Sequence, residues 1–394
     1  MGIRILIATI PARGHVFPTL AVAEELVRRG NDVIYVTTEE FAPTIAATGA
    51  FTLLYSSVDP VSTVQTDDAP MAFFEENRRV LRTVEEHFAA GPADVVLYDS
   101  PMTLAGRILA KSWGRPGIEL TPVFASNEHY NFMEQALAAS GLQHDEAAVA
   151  PYEEYARRAA ELLGEYGIDT PPHESPAGVD ELNVVYVPRA FQPQGDTFGD
   201  GYAFVGPCVG ERAFLGEWQP PASGLPVVLA SLGTTYNDNP EFFRTCARAF
   251  EGRPWHLVIS VGQRVDPASL GPLPDNVEVR QWLPHVTVLR HAKVFLTHGG
   301  MGSVLESLTE GCPLVLVPAW PDVQVIADRA VELNLGRMLP PGELTAERLR
   351  DMALAVAGDE TIAAGVAAMR EQIRLSGGAS RAADEVEAHA KRAG

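Results

Sequence analysis

The chain is poor in cysteine and in lysine, and it has no long apolar run. Among its 394 residues are three cysteines, Cys208, Cys246 and Cys312. They lie far apart with no CxxC pair, so neither a disulfide framework nor a zinc site is indicated. A soluble protein of a reducing, cytoplasmic compartment is the expectation. No apolar stretch approaches the ~18 residues needed to span a bilayer. Residues 3–12 are apolar but short, carry Arg4 as their only charge and run into a glycine-containing loop. That pattern reads as a first strand and not as a signal peptide. Lys111, Lys293 and Lys391 are the only lysines among 30 basic residues, and 51 acidic residues leave a net charge of −21. A surface this acidic repels phosphate backbones and anionic lipid, which argues against nucleic acid or membrane as a partner. The familiar phosphate-binding signatures are missing too. There is no GxxxxGK[ST], no third glycine completing Gly300-x-Gly302, and no Asp-x-Asp pair to carry a metal to a diphosphate.

What is present is a steady alternation of strand-like and helix-like segments, with a hydrophobic fraction of 46% that suffices for a core in each of two domains. Ile3 to Ile10 is a buried-strand run. Pro18 is placed to open a helix in which Leu20, Val22, Ala23, Leu26 and Val27 recur at helical spacing up to Gly30. Val33 to Val36 is the next strand, and a strand, a helix and a strand in that order predict a parallel sheet covered on both faces. A second series begins at Pro226 to Ser231 and continues through His256 to Ser260, Val294 to Thr297 and Pro313 to Val317. Pro188 to Leu225 is rich in proline and glycine and has no sustained period. The expected fold class is therefore α/β, with two Rossmann-like doubly wound domains facing a cleft. They are placed at 1–203 and 226–374, with a linker over 204–225 and a C-terminal helix over 375–394. Ligands of such sheets lie beyond the carboxyl ends of the strands, so the residues just after each strand carry the interest.

Five such segments stand out. Thr297-His298-Gly299-Gly300-Met301-Gly302-Ser303-Val304-Leu305-Glu306 is a strand, a glycine-rich turn and a helix start, which together make an anion site. Ser303-x-x-Glu306 also satisfies a capping-box pattern, so these two side chains could simply finish the helix. His15, in the loop after the first strand, can accept a proton from a hydroxyl near neutral pH if a carboxylate stands behind it. Asp99, at the end of the strand Asp94 to Asp99, is the candidate partner, or else an N-cap before Ser100-Pro101. Trp282, in Gln281-Trp282-Leu283-Pro284-His285, either stacks on a planar base or belongs to the core. Ser231-Leu232-Gly233-Thr234-Thr235 offers backbone N–H groups and hydroxyls after the first strand of the second series. Asp322, in Trp320-Pro321-Asp322-Val323-Gln324, grips ligand hydroxyls or caps a helix.

Taken together, these segments resemble the two-Rossmann-domain (GT-B) glycosyltransferases. The likeness is to the bacterial antibiotic group that includes the macrolide enzymes, and above all to the enediyne, calicheamicin-type sugar transferases. It spans nearly the whole chain: Gly14-His-Val-x-Pro-Thr-Leu20, Phe204-Val-Gly-Pro207, the Ser-Leu-Gly-Thr turn, the Trp-x-Pro segment and the Thr-His-Gly-Gly-x-Gly-Ser-x-x-Glu block. The resemblance implies an inverting, metal-independent transfer of a sugar from a nucleotide diphosphate to an acceptor hydroxyl. His15 would be the base and Asp99 its partner. The implied donor set is Ser231, Gly233, Thr234, Trp282, Leu283, His298, Gly300, Gly302, Ser303, Glu306, Asp322 and Gln324. No cofactor and no metal is implied beyond the nucleotide sugar itself, and the oligomer is a monomer or a homodimer. Relatives often read His-Gly-His-Val-Asn-Pro at the first loop, where this chain has Arg13 and Phe17 in place of the first His and the Asn. Relatives that use fully hydroxylated sugars commonly place Gln directly after the acid. Here Val323 intervenes between Asp322 and Gln324, which implies a deoxygenated or modified sugar, on thymidine diphosphate (TDP). The first domain would hold the acceptor, a hydrophobic polyketide, macrolide or enediyne aglycone. Phe17, Phe73, Phe74, Phe124, Tyr130 and Phe132 are the candidate wall, although such spacing is also ordinary core. The alternatives are a UDP-glucose-dependent macrolide-inactivating transferase, a nucleotide-sugar 2-epimerase and a non-catalytic nucleotide-sugar binder.

Overall fold

A computed structural model describes residues 2–63, 66–89, 91–141, 146–168, 182–210, 216–235 and 237–393. These residues form two compact units, each built on one wholly parallel sheet. The first unit comprises residues 1–131, 142–210 and 376–394, and the second comprises 132–141 and 211–375.

In the first unit the strands are β1 (Arg4–Ala8), β2 (Asp32–Thr37), β3 (Phe51–Leu54), β4 (Val95–Asp99), β5 (Gly117–Thr121), β6 (Leu182–Val185) and β7 (Tyr202–Phe204), in the order β3-β2-β1-β4-β5-β6-β7. The helices between them are α1 (Arg13–Arg28), α2 (Ala42–Ala46), α3 (Ala69–His87), α4 (Thr103–Trp113) and α6 (Glu146–Glu165). A short helix α5 (Phe132–Ser140) leaves this series to pack in the second unit. β1 and β4 read as unbroken apolar runs because side chains pointing to both faces are covered. Ile5, Ile7, Val33, Tyr35, Val95 and Leu97 meet α1 on one face, and Leu6, Ala8, Ile34, Val36, Val96 and Tyr98 meet α3 and α4 on the other. Strand periodicity alone sorts these residues.

The second sheet is β8 (Val227–Ser231), β9 (His256–Ser260), β10 (Val277–Arg280), β11 (Ala292–Thr297), β12 (Leu314–Leu316) and β13 (Gly336–Met338), in the order β10-β9-β8-β11-β12-β13. Its helices are α7 (Pro240–Phe250), α8 (His285–Leu289), α9 (Met301–Glu310), α10 (Pro321–Glu332), α11 (Ala346–Ala357) and α12 (Glu360–Ser376). α5 lies along α10. α13 (Gly378–Ala393) returns to the first unit, where Ala382, Ala383 and Val386 join the core beside α1. α12 and α13 meet at a break where Gly377 and Gly378 both take positive φ. Among the described residues no single helix is long and apolar enough to cross a membrane.

Each sheet changes direction of strand order at one place, between β1 and β4 in the first and between β8 and β11 in the second. The carboxyl ends at such a switch point are where doubly wound sheets leave room for ligands. His15 and Asp99 follow β1 and end β4. The Ser231 turn and the His298 turn follow β8 and β11.

Candidate active site

α1 begins earlier than its sequence suggests. Pro18 stands inside the helix and not at its first turn, because the start is set by Ala12, whose carbonyl accepts the His15 and Val16 N–H groups at 2.9 and 2.8 Å. His15 therefore sits in the first turn of a helix packed on the sheet, which fixes its backbone better than an open loop does. Its carbonyl also accepts the Thr19 hydroxyl at 3.0 Å. The imidazole is a quarter exposed (24%), while the Asp99 carboxylate is almost fully enclosed. Nδ1 of His15 lies 2.8 Å from Asp99 Oδ2. The same oxygen accepts the Ile10 N–H at 3.1 Å, and Oδ1 accepts the Met102 N–H at 3.2 Å, so Asp99 also caps the 3-10 turn Ser100–Met102. One carboxylate thus meets the His15 ring and caps the turn. A carboxylate that already accepts two N–H groups can only accept from Nδ1, so Nδ1 carries the proton and Nε2 keeps its lone pair. Such an arrangement can act as a general base, with Nε2 taking a proton and Asp99 stabilising the imidazolium that results.

In the second unit α9 starts at Met301, with Gly300 as its N-cap and no side-chain cap. Ser303 falls in the first turn and Glu306 in the second, so the capping-box reading of this pair fails. The Met301, Gly302 and Ser303 N–H groups stand among the first, unbonded donors of the helix, aligned with its positive end. Gly302 is exposed, and a side chain there would meet nothing within 4 Å. His298 precedes this turn and is sandwiched between glycines. A Cβ on Gly233 would lie 2.5 Å from its Cε1, and one on Gly300 would lie 2.5 Å from its Nε2. Burial of the ring, with His285 nearby, lowers the His298 pKa to about 4. At neutral pH His298 thus offers an anion a hydrogen bond and no charge, so the neutralising part falls to backbone N–H groups and hydroxyls.

Gly233 has φ +72°, a conformation that costs an L-residue ~1–2 kcal/mol before any clash. We expect Gly233→Ala to weaken nucleoside diphosphate binding about tenfold or more in calorimetric titration. An unchanged affinity would remove the Ser231 turn from the anion site.

The remaining candidates divide by exposure. Thr234 is exposed, and Trp282 is half-buried after β10, so Trp282 is not sealed in the core. Ser231 and Leu283 are buried; the Ser231 hydroxyl accepts the Gly233 N–H at 3.2 Å and so shapes the turn. Asp322 lies in the first turn of α10, where burial raises its pKa against the opposing pull of backbone N–H bonds. Gln324 turns back on its own helix and neighbour, donating to Asp328 Oδ1 at 2.8 Å and approaching Met338 Sδ at 3.1 Å. Of the aromatic wall, Phe17 and Phe73 are partly exposed, but Phe74, Phe124, Tyr130 and Phe132 are buried. Phe74 packs edge-on to Tyr155, and Phe124 meets Tyr130 and Phe191. These contacts place Phe74 and Phe124 in core packing, because rings at that spacing satisfy one another before they face solvent. Phe132 belongs to α5 in the second unit.

Several polar groups around the His–Asp pair were not singled out from the sequence. Thr9 and Tyr35 share a buried hydrogen bond of 2.9 Å, and Glu76 and Asn77 are buried in α3. Glu76 accepts the Tyr55 hydroxyl and the Val58 N–H at 2.6 and 2.8 Å. Their signal was available, since two polar residues interrupt the apolar stripe Phe74, Val80, Leu81, Val84. Among the described residues no three His, Cys, Asp or Glu side chains gather as metal ligands.

Residues 256–386 match the family model described as erythromycin biosynthesis protein CIII-like, C-terminal domain. The chain is 38% identical to demethyllactenocin mycarosyltransferase of Streptomyces fradiae, covering 96% of this chain and 84% of that one. It is 36% identical to the NDP-glycosyltransferase YjiC of Bacillus licheniformis, over 99% and 98% of the two chains. Among solved structures, the calicheamicin glycosyltransferase CalG4 matches with a TM-score of 0.87 and 42% identity, covering 100% of this chain and 99% of that chain.

Proposed function

This chain belongs to the GT-B glycosyltransferases of antibiotic biosynthesis, and we propose that it moves a deoxygenated or otherwise modified sugar from a TDP donor to a hydroxyl of a hydrophobic aglycone, inverting the anomeric centre. The observation that carries the reading is the 2.8 Å contact between His15 Nδ1 and the enclosed Asp99 carboxylate. Nε2 removes the acceptor proton as the acceptor oxygen forms its bond to the anomeric carbon. The bond from that carbon to the diphosphate oxygen breaks on the opposite side, and the nucleoside diphosphate leaves with the electron pair. One in-line displacement inverts the configuration. The growing negative charge is met by the Met301, Gly302 and Ser303 N–H groups, the α9 dipole and the neutral His298, so no metal is required in this scheme. Trp282 stacks on the base, and Glu306 holds the ribose.

The sugar class rests on Gln324. Its Nε2 hydrogens are held by Asp328 and Met338, so Gln324 keeps only its amide oxygen as an acceptor for a sugar hydroxyl, a thinner grip that suits a sugar with fewer hydroxyls. The test is a mass-spectrometric screen of TDP- and UDP-sugars against polyketide aglycones, followed by NMR of the product anomer. Product from TDP-deoxysugars with the anomer opposite to that of the donor is the expected result. Efficient turnover of UDP-glucose with TDP-deoxysugars ignored overturns the donor assignment in favour of a glucosylating, inactivating enzyme, and a retained anomer overturns the single displacement.

A further inference from the structure

α3 lays Phe74, Val80, Leu81 and Val84 on the first sheet, yet Asn77 inside that buried surface is only 1% exposed. Its amide is fully engaged. Nδ2 donates to the Phe73 carbonyl at 2.9 Å and to the Pro101 carbonyl at 2.8 Å, while Oδ1 accepts the Ala105 N–H at 3.0 Å. Pro101 lies within the 3-10 turn that follows Asp99. Ala105 lies in the first turn of α4, whose N-cap Met102 supplies no side-chain bond. Asn77 thus reaches from another helix to hold both ends of the short segment that hangs from Asp99. The Met102 N–H in the middle of that segment bonds Asp99 Oδ1, and Asp99 Oδ2 faces His15 Nδ1.

We propose that Asn77 is a positioning residue for the base: by clamping residues 101–105 it keeps the Asp99 carboxylate aimed at His15 Nδ1. The inference rests on the reading of His15 as the general base. A buried amide that only stabilised the fold would need partners anywhere in the core. This one places two of its three bonds on the segment attached to the catalytic carboxylate. Misplacement of a reacting group by ~1 Å can cost ~10²-fold in rate, so a loosened clamp should be legible in turnover.

Other ionisable groups surround the pair. Tyr35 on β2, Tyr55 after β3, Glu119 on β5 and Tyr186 after β6 each sense the Asp99 charge, and Glu76 stands beside Asn77 on α3. Burial raises the tyrosines, which stay neutral. It also lifts Glu119 to about 7, so Glu119 titrates within the working range. The profiles below are therefore recorded for Glu119→Gln as well, and any limb owed to Glu119 drops out.

The experiment compares wild type, Asn77→Ala, Asp99→Ala, Asn77→Ala/Asp99→Ala and His15→Ala at saturating substrates, well below each melting temperature. Asn77→Ala should lower kcat about ten- to hundredfold, shift the acid limb of the kcat–pH profile and leave nucleoside diphosphate affinity unchanged. In the Asp99→Ala background the same change should cost nothing further, since the clamp then has no carboxylate to aim. If Asn77→Ala does not fold, Asn77→Asp takes its place: it has the same size and can still accept the Ala105 N–H, but it opposes the Pro101 carbonyl. A lower melting temperature with kcat and pH profile unchanged, or a loss that simply adds to that of Asp99→Ala, overturns the proposal. Should His15→Ala turn over like wild type, the base reading falls and the clamp falls with it. With His15→Ala inactive, an additive Asn77 effect refutes the clamp alone.

Discussion

His15→Ala is expected to lower kcat about 10³-fold, within the ~10²–10⁴ that a positioned general base contributes, with nucleoside diphosphate affinity within a factor of about two of wild type. The asymmetry follows from where the groups sit. The imidazole stands in the first turn of α1 in the first unit, whereas the proposed anion site is made of the turns after β8 and β11 in the second. Removing it also costs little folding energy, because the ring is partly exposed and Asp99 keeps two backbone N–H partners. Product assays by mass spectrometry, paired with calorimetry of the nucleoside diphosphate, separate the two quantities. A variant that keeps more than about a tenth of wild-type kcat places the base elsewhere.

Asp99→Asn should reach a comparable loss, about 10³- to 10⁴-fold in kcat, by a different route. The substitution preserves shape but exchanges an oxygen that only accepts for a nitrogen that only donates. Facing His15, that NH₂ donates to Nδ1 and forces the proton onto Nε2, so the lone pair that would take the acceptor proton is gone. If the amide turns the other way, its NH₂ opposes the Met102 N–H, which now bonds Oδ1 at 3.2 Å. Either orientation leaves one buried donor unsatisfied, so we expect a stability loss of ~1–3 kcal/mol in chemical denaturation alongside the kinetic loss. The two effects can be told apart, since His15→Ala shows the kinetic loss with almost none of the destabilisation. Activity of Asp99→Asn near that of wild type would mean that the carboxylate serves only as the cap of the Ser100–Met102 turn.

Legibility of the site varied with the kind of interaction. His15 and Asp99 could be paired from their places after β1 and at the end of β4, because a parallel sheet brings strand ends together whatever the loops contain. The His298 turn could be read because glycines after an apolar run leave few alternatives. The aromatic wall was harder. Phe74, Phe124 and Phe17 look alike in sequence, and only the packed neighbours decide that the first two face Tyr155 and Phe191 while Phe17 stays partly open. Pro18 misled the reading of α1 because a proline favoured at a helix start can also stand one turn further in, where it removes only the bond to the Gly14 carbonyl.

From the order of residues alone came the α/β class, the two parallel sheets and the strand-end positions of the reactive groups. Apolar runs and turn residues dictate these locally, and burial rewards the same pattern everywhere along the chain. Tertiary structure decided which polar atoms meet. It set the 2.8 Å approach of His15 to Asp99, the enclosure of His298 between Gly233 and Gly300, the capture of Gln324 by Asp328 and Met338, and the reach of Asn77 to Pro101 and Ala105. Such contacts join residues far apart in the chain, and their energies depend on distances of a few ångströms that no periodicity encodes.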